Sequence, residues 1–238
     1  MSSLSGQTAV VTGASRGIGA GIAAALAGEG VQVVMLARNE AKLKERSASV
    51  KGSIPIVCDV TKPESVEKAA MRITSELKRA PDIVVNNAGI FGVSTVEETS
   101  PEFFIDTINT NLVGPFLLVR SFLAGMKKRK TGHVVTIGSI ADRMIFTGNA
   151  AYSAAKFGVR ALHEVLRAEL HGTGVRATLV SPAATDTEIW NTVSVTDPAG
   201  KPHSKRPMLD ADDVVRAVMF ALTQPEHVNV DELRLSHG

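Results

Sequence analysis

A tyrosine and a lysine four residues apart are the side chains of this chain best suited to acid–base chemistry. Tyr152 and Lys156 stand in a segment of small residues, 151–156, whose composition predicts a helix. In a helix this spacing places both side chains on one face. A phenol has a pKa of about 10, and a nearby ammonium favours its ionised form, so we expect Lys156 to lower the pKa of Tyr152. The alternative is a half-buried tyrosine beside a solvated lysine, which an isolated pair of this kind would favour.

A glycine-rich turn near the start of the sequence is a candidate phosphate cradle. The β-branched run 7–12 predicts a buried strand and the stretch 20–27 predicts a helix. Between them Thr12 precedes Gly13, Gly17 and Gly19, which have the spacing Gly-x-x-x-Gly-x-Gly. Glycines let the backbone approach a ligand closely, and a helix N-terminus offers unpaired N–H groups to an anion. The alternative is a tight turn that binds nothing.

The end of the second predicted strand, 31–36, carries the signal for cofactor choice. Arg38 follows this strand, Arg16 lies in the glycine turn, and the first carboxylate is Glu40. In a dinucleotide fold an acidic residue here binds a free ribose 2′-hydroxyl, whereas an arginine pairs with a 2′-phosphate. The sequence therefore predicts NADP(H) in preference to NAD(H). The alternative is that Arg38 is solvated at the start of the next helix.

Asp59 follows the third predicted strand, 54–58, and has two possible roles. Its carboxylate could accept from an adenine amine, or it could cap the helix that Pro63 opens, and both roles stay open. Further strands are predicted at 82–86, 133–137, 175–180 and 228–233, and helices at 63–78, 100–108, 111–128 and 210–222. This alternation predicts an α/β protein with a doubly wound parallel sheet of about seven strands and helices on both faces, a Rossmann fold.

Length and composition narrow the class of protein. The 238 residues, 44% of them hydrophobic and 21% charged, predict one globular domain over 1–238. A net charge of +2 does not indicate a nucleic-acid partner, and the sequence lacks an apolar run of the ~18 residues that a membrane span needs. The single cysteine, Cys58, indicates a reducing compartment, so we expect a cytoplasmic protein. The histidines His133, His163 and His171 lack ligand-like spacing, and no metal is expected.

Taken together, these motifs resemble those of the short-chain dehydrogenase/reductase family in its single-domain form, similar to 3-oxoacyl-carrier-protein reductases and related carbonyl reductases. The motifs that carry the resemblance are Thr12-Gly13-x-x-x-Gly17-x-Gly19, Asn86-Asn87-Ala88-Gly89, Asn111, Ser139 and Tyr152-x-x-x-Lys156. They occur in the family's order and spacing over nearly the whole chain. The departure is Ser181-Pro182-Ala183, where the family usually has Pro-Gly, which could shift the loop near the nicotinamide.

The resemblance implies a catalytic group and a set of cofactor contacts. Tyr152 would be the general acid or base, Ser139 would bind the substrate oxygen, Lys156 would also bind the nicotinamide ribose, and Asn111 would hold a water that connects the site to solvent. Without the family, Asn111 would be taken for a helix-boundary residue. The implied cofactor contacts are Gly13, Ser15, Arg16, Gly17, Ile18, Gly19, Arg38, Asp59, Val60, Asn87, Ala88, Gly89, Tyr152, Lys156, Pro182, Thr185 and Thr187.

The expected reaction is hydride transfer between the nicotinamide and a carbonyl or secondary alcohol, and the alternative is a cofactor-binding sensor or scaffold without turnover. The candidate substrate contacts besides Ser139 are Ile90, Phe91, Met144, Ile145, Phe146 and Trp190. The irregular segment 188–208 predicts a substrate lid, with solvated loop charge as the main explanation of its basic residues. The basic run 127–130 complements a helix C-terminus, or alternatively docks an acyl-carrier protein. Members of the family are usually homodimers or homotetramers, and we expect the same here.

Overall fold

A parallel seven-stranded sheet forms the centre of the computed structural model, which describes residues 3–192 and 208–238. The strands in chain order are β1 (Thr8–Thr12), β2 (Gln32–Ala37), β3 (Ile54–Val57), β4 (Ile83–Asn86), β5 (Gly132–Ile137), β6 (Val175–Pro182), β7 (Thr185–Asp186), β8 (Leu209–Asp210) and β9 (Glu232–Leu235). The order across the sheet is β3-β2-β1-β4-β5-β6-β9, and β7 pairs with β8 in a separate two-stranded ribbon. The chain reverses direction across the sheet between β1 and β4, which is where open sheets of this class bind ligands.

Helices cover both faces of the sheet. In chain order they are α1 (Gly17–Gly28), α2 (Glu40–Ala48), α3 (Pro63–Leu77), α4 (Pro101–Ile108), α5 (Gly114–Arg129), α6 (Ala150–Leu170) and α7 (Ala211–Leu222). One buried cluster joins the sheet to α1, α2 and α7, and the other joins it to α3, α5 and α6. Strand residues alternate between the clusters, so both faces of each central strand are buried. The predicted doubly wound fold with about seven strands is confirmed.

Several helices begin at capping residues that the sequence supplies. The Ser100 hydroxyl accepts from the N–H of Phe103 at 3.1 Å, and Pro101 occupies the first turn of α4. Asp210 and Asp213 form a reciprocal capping box at the start of α7. The predicted capping role of Asp59 is wrong. Its carboxylate instead accepts from the backbone N–H of Thr61 at 3.0 Å and from the Thr61 hydroxyl at 2.8 Å, and α3 starts four residues later.

The last strand begins later than predicted, at Glu232 instead of Val228. The reason is a side chain that substitutes for the strand backbone. The Asn229 amide accepts from the N–H of Ala177 at 3.2 Å and donates to the Ala177 carbonyl at 3.1 Å. These bonds satisfy β6 where a strand ladder would otherwise do so, and regular pairing starts only at the Leu179–Glu232 position.

The predicted helices 100–108 and 111–128 are one continuous helical stretch. A π-turn, Asn109–Val113, joins α4 to α5 without a break, so the boundary expected near Asn111 is a local widening of the helix. The segment α4 packs against α6, whereas α5 packs against α3 and the sheet. Such single π-turns inside helices are frequent at functional sites.

The basic run 127–130 ends α5 immediately before β5 begins. It therefore lies at the amino edge of the sheet. Arg129 turns back to donate to the Pro81 carbonyl at 3.2 Å and to the Asp82 carboxylate at 3.4 Å. Of the helices in the described ranges, none combines the length and the apolar character that crossing a bilayer requires.

Candidate active site

A cavity of about 970 Å³ opens at the carboxyl ends of the central strands. It extends from the glycine turn after β1 to the N-terminal half of α6 and the turn that follows β7. This volume is at the upper end of the usual range for small-molecule sites. The predicted residues that line it are Gly13, Ser15, Arg16, Gly17, Ile18, Arg38, Val60, Asn87, Ala88, Gly89, Ile90, Phe91, Ser139, Ile145, Phe146, Tyr152, Lys156, Pro182, Thr185, Thr187 and Trp190.

The glycine turn has the geometry of an anion cradle. Gly13 and Gly17 have φ values of +65° and +51°, a region that favours glycine. A Cβ on Gly13 would lie 2.8 Å from the Asn87 Nδ2 and 2.9 Å from the Ala88 Cα. The residue before α1, Arg16, makes no side-chain cap on the first N–H groups of this helix. The turn can therefore receive the phosphates of a dinucleotide.

Thr12 ties the glycine turn to the loop after β4. Its hydroxyl accepts from the N–H of Asn87 at 2.9 Å and from that of Ala88 at 3.0 Å. It also donates to the Val85 carbonyl at 3.3 Å, while the Asn87 side chain donates to the Thr12 carbonyl at 2.9 Å. Gly19 does not line the cavity. It packs beneath this junction, where a Cβ would lie 2.4 Å from the Asn87 Nδ2.

One end of the cavity, at the glycine turn, has two exposed arginines, and the Glu188 carboxylate lies near the same turn, with its Oε2 3.9 Å from the position of a Cβ on Gly17. Arg16 and Arg38 both line this end. The nearest acidic residue in sequence, Glu40, forms an exposed ion pair with Lys44 at 2.6 Å. Asp59 does not line the cavity, since its carboxylate is held by Thr61, whereas its neighbours Cys58 and Val60 do. The two arginines suit a cofactor with a 2′-phosphate.

Ser139, Tyr152 and Lys156 meet at the other end of the cavity. Ser139 follows β5 and its hydroxyl accepts from the N–H of Ala141 at 3.1 Å, which fixes the turn. Tyr152 and Lys156 lie one turn apart on α6, and the ammonium is 5.5 Å from the centre of the phenol ring. The Lys156 ammonium is buried and donates to the Ile137 carbonyl at 2.8 Å. Tyr152 and Lys156 are thus held against the strand that leads into Ser139.

The pKa of Tyr152 is shifted in the direction opposite to the one expected from the sequence. Desolvation raises the pKa of Tyr152 to about 12; a hydrogen bond with Ser139 lowers it and the nearby Asp142 carboxylate raises it. Burial also lowers the pKa of Lys156 to about 8, and Asp142 acts against this shift. The expected lowering of the Tyr152 pKa by Lys156 is therefore wrong for this arrangement. Removal from water outweighs the ammonium, which is directed to a backbone carbonyl.

Asn111 lies behind the cavity wall. Its side-chain oxygen accepts from the N–H of Ile90 at 2.8 Å and its amide donates to the Ile90 carbonyl at 2.9 Å. It is 1% exposed and belongs to the π-turn, so the widened helix directs it to the loop after β4. Its two bonds fix the backbone that carries Ile90 and Phe91 into the cavity.

Aromatic and aliphatic side chains form the substrate end. Phe91 packs edge-on against Tyr152 and against Trp190, with ring centres 4.9 Å apart in both pairs. The Trp190 indole donates to the Thr185 carbonyl at 2.9 Å. Met144 does not line the cavity and is 47% exposed, because the turn before α6 leaves it facing away. Residues that sequence reasoning missed in this lining include Val93, Ile140, Thr147, Asn149, Glu188 and Ile189. The only feature of the sequence that indicates these residues as cavity lining is that they lie near predicted site residues along the chain.

The loop in which Ala183 replaces the family's usual glycine is anchored to the sheet. The N–H of Ala183 donates to the Leu235 carbonyl at 2.9 Å, and Pro182 pairs with the same residue in the β6–β9 ladder. The lid predicted at 188–208 is described only in part. Glu188–Thr192 form a 3₁₀ turn, and 193–207 lie outside the described residues. Within the described ranges there is no cluster of three acidic, histidine or cysteine side chains suited to a metal ion.

The chain is similar in sequence to known oxidoreductases. The family model for the short chain dehydrogenases matches residues 7–197. An uncharacterised oxidoreductase of Staphylococcus aureus (strain MRSA252) is 35% identical over 98% of both proteins. The glycine betaine reductase ATRR of Emericella nidulans is 38% identical over 97% of this chain, which spans only 18% of that protein's length.

Solved structures of similar proteins share the whole fold. The closed form of a serine dehydrogenase complexed with NADP+ is 31% identical, with a TM-score of 0.88, covering 95% of this chain and 93% of that one. An alcohol dehydrogenase from the archaeon Thermococcus sibiricus complexed with 5-hydroxy-NADP is 30% identical, with a TM-score of 0.84, covering 96% of this chain and 95% of that one. The match over most of the chain, joined to the glycine turn and the Ser139–Tyr152–Lys156 group, shows that this protein belongs to the short-chain dehydrogenase/reductase family of oxidoreductases.

Proposed function

We propose that the protein is an NADPH-dependent carbonyl reductase whose general acid is Tyr152. The observation that carries this proposal is the convergence of Ser139, Tyr152 and Lys156 on one end of a cavity whose other end is a glycine turn flanked by two arginines. A single domain over 1–238 with a lid near 188–208 and a homodimeric or homotetrameric assembly belong to the same proposal.

Each residue of the site has a role in this scheme. The nicotinamide, when bound, supplies the hydride that adds to the carbonyl carbon. Ser139 donates to the carbonyl oxygen and Tyr152 delivers a proton to it as negative charge develops there. Lys156 would hold the ribose of the cofactor, and Asn111 fixes the Ile90 loop beside the proton path.

The direction of proton transfer favours reduction at neutral pH. A phenol whose pKa is raised to about 12 keeps its proton, so Tyr152 is ready as an acid. Alcohol oxidation would instead require Tyr152 to ionise first, which costs about 1.4 kcal/mol for each unit by which its pKa exceeds the pH.

The arginines support NADPH as the preferred cofactor. Arg38 and Arg16 line the cavity beside the glycine turn and would pair with a ribose 2′-phosphate, and two similar solved structures are complexes with NADP+ or 5-hydroxy-NADP. The sensor or scaffold alternative keeps the same fold and cofactor and lacks turnover. The apolar lining fits a small or medium ketone, aldehyde or 3-oxoacyl group. Docking of an acyl-carrier protein on 127–130 would be far from the cavity, at the opposite edge of the sheet.

A second candidate substrate is an aldehyde that carries a trimethylammonium group. Phe91, Tyr152 and Trp190 present three aromatic rings beside the reactive position, and one relative is called a glycine betaine reductase. Aromatic faces bind quaternary ammonium groups by about 0.5–2 kcal/mol. Betaine aldehyde should therefore be reduced with higher kcat/KM than its neutral tert-butyl isostere. Trp190→Leu should remove that preference, and equal rates for both aldehydes would exclude this candidate.

The deciding experiment is a panel of carbonyl substrates followed by NADPH absorbance, with Tyr152→Phe and Ser153→Ala in parallel. Tyr152→Phe should lose at least about 100-fold in kcat, the usual worth of a general acid, while NADPH affinity measured by fluorescence stays close to wild type. Ser153→Ala removes a neighbouring hydroxyl of α6 and should keep most of its activity. Turnover retained in Tyr152→Phe would refute the mechanism, and binding without turnover of any substrate would favour the sensor.

A further inference from the structure

A buried carboxylate lies behind the catalytic group. Asp142 is three residues after Ser139, at the end of the 3₁₀ turn Ile140–Asp142, and is 0% exposed. One carboxylate oxygen accepts from the Ser181 hydroxyl at 2.5 Å, and the other accepts from the Arg143 guanidinium at 2.7 Å. Arg143 also forms an ion pair with Glu232 of β9. Asp142 thus joins the turn that carries Ser139 to the carboxyl end of β6 and, through Arg143, to the first residue of β9.

The backbone around Asp142 is shaped for this contact. A Cβ on Gly138 would lie 2.7 Å from the Ser181 Oγ and 3.1 Å from the Asp142 Oδ2, so a side chain there would push the two apart. The N–H of Gly138 donates to the Val180 carbonyl at 2.8 Å, which brings β5 and β6 together at this point. Pro182 and Ala183, the next residues after Ser181, line the cavity.

A buried carboxylate stabilises a turn only at a large cost in solvation free energy. Its removal from water costs several kcal/mol, and apolar residues of similar volume often stabilise as well as a buried ion pair. Asp142 lies in the 3₁₀ turn that packs against α6, and its charge raises the pKa of both Lys156 and Tyr152. The other charged groups of this network are partly exposed. Arg143 pairs with Asp142 directly, and Glu232 is joined to Asp142 only through Arg143.

We propose that Asp142 is a positioning residue of the reductase: its buried carboxylate clamps the Ser139 turn to Ser181 and, through Arg143, to Glu232, and it holds a negative charge against the helix that carries Tyr152 and Lys156. The effect on rate rests on the proposed carbonyl reduction. The clamp and its electrostatic effect on Tyr152 can be measured without any substrate.

The composition of the chain makes that measurement direct. Tyr152 is the only tyrosine among the 238 residues, so ultraviolet phenolate absorbance, or the ring resonance of protein labelled with ¹³C-tyrosine, reports on it alone. Asp142→Asn keeps the shape and one acceptor but removes the charge. Phenolate should then appear about one pH unit lower than in wild type, the shift expected for a unit charge at an effective dielectric of about 20. The alkaline limb of kcat/KM for reduction should move the same way.

Two further variants separate the charge from the clamp. Ser181→Ala removes a hydrogen bond and keeps the carboxylate, so it should lower kcat/KM several-fold without moving phenolate formation to lower pH. Glu164→Gln is the matched charge control on α6, because Glu164 is exposed and pairs with Arg167; its tyrosine should titrate as in wild type. If Asp142→Asn does not fold, Asp142→Asn/Arg143→Gln removes both charges together and should shift the tyrosine in the same direction by less.

The outcomes are distinct. A tyrosine that ionises at lower pH in the Asp142 variant supports the proposal, even if no carbonyl is reduced and the proposed function fails. A tyrosine that titrates in that variant as it does in Glu164→Gln overturns the proposal, even if the enzyme is an active reductase.

Discussion

Removing the Thr12 hydroxyl should lower the free energy of unfolding by more than the loss of a single hydrogen bond usually does. Thr12→Val keeps the side-chain shape, leaves a 3% exposed position apolar, and deletes three hydrogen bonds. The N–H groups of Asn87 and Ala88 lose their acceptor together. Each orphaned donor costs about 1–2 kcal/mol at a half-buried position, so we expect a loss of about 2–4 kcal/mol.

The assay is urea unfolding followed by circular dichroism at a fixed protein concentration. With a slope of about 3 kcal/mol per M, the midpoint should fall by roughly 1 M at unchanged slope. Thr136→Val is the matched control, because Thr136 is equally buried and its hydroxyl accepts only one long bond, from the Asn86 amide at 3.4 Å. NADPH affinity should also fall in Thr12→Val, since the loop it fixes lines the cavity. Equal midpoints for the two variants would show that the Thr12 hydroxyl does not hold the glycine turn to the loop after β4.

Three further predictions concern cofactor, fold and pH. Gly19→Ala should abolish NADPH binding measured by fluorescence, because the new Cβ would lie 2.5 Å from the Gly13 carbonyl oxygen, and binding at wild-type affinity would contradict the described turn. Arg38→Asp should weaken NADPH far more than NADH in the same assay, and an equal loss for both would refute the 2′-phosphate role. Burial beside Arg176 lowers the pKa of His133 to about 3, so the unfolded chain takes up a proton near pH 6.5 that the folded protein rejects. Stability should therefore fall by about 1.4 kcal/mol per unit as the pH drops from 6.5 towards 3, or about 2 kcal/mol at pH 5, and His133→Gln should flatten that slope in acid unfolding curves.

Local chemistry made much of the fold predictable. Buried β-branched runs and helix caps act over a few residues, so the strands around the glycine turn and the start at Ser100 could be placed from sequence. The late start of β9 could not, because Asn229 replaces the ladder by bonds to Ala177, 52 residues away. Because a side chain makes these bonds in place of a strand backbone, the sequence has no alternation of residue types that would mark the later start of β9.

The site divides in the same way. Tyr152 and Lys156 could be paired from their spacing, but the pKa of Tyr152 depends on burial and on a carboxylate from another element. The contact between Asp142 and Ser181 joins residues 39 positions apart, and that between Arg143 and Glu232 joins residues 89 apart. Such contacts exist only once the sheet has assembled, so spacing along the chain does not reveal them.

The π-turn at Asn109–Val113 rotates the side chains of α5 about the helix axis relative to those of α4. Each residue of an α-helix advances its direction by about 100°, so one additional residue in a turn rotates everything that follows. Before the turn the helix faces α6, and after it the helix faces α3 and the sheet. Deleting a single residue there would preserve composition and helicity, yet it would rotate either Asn111 away from Ile90 or the apolar face of α5 away from its partners. The contact of Asn111 with Ile90 and the packing of a sixteen-residue helix are therefore set by the same count of residues.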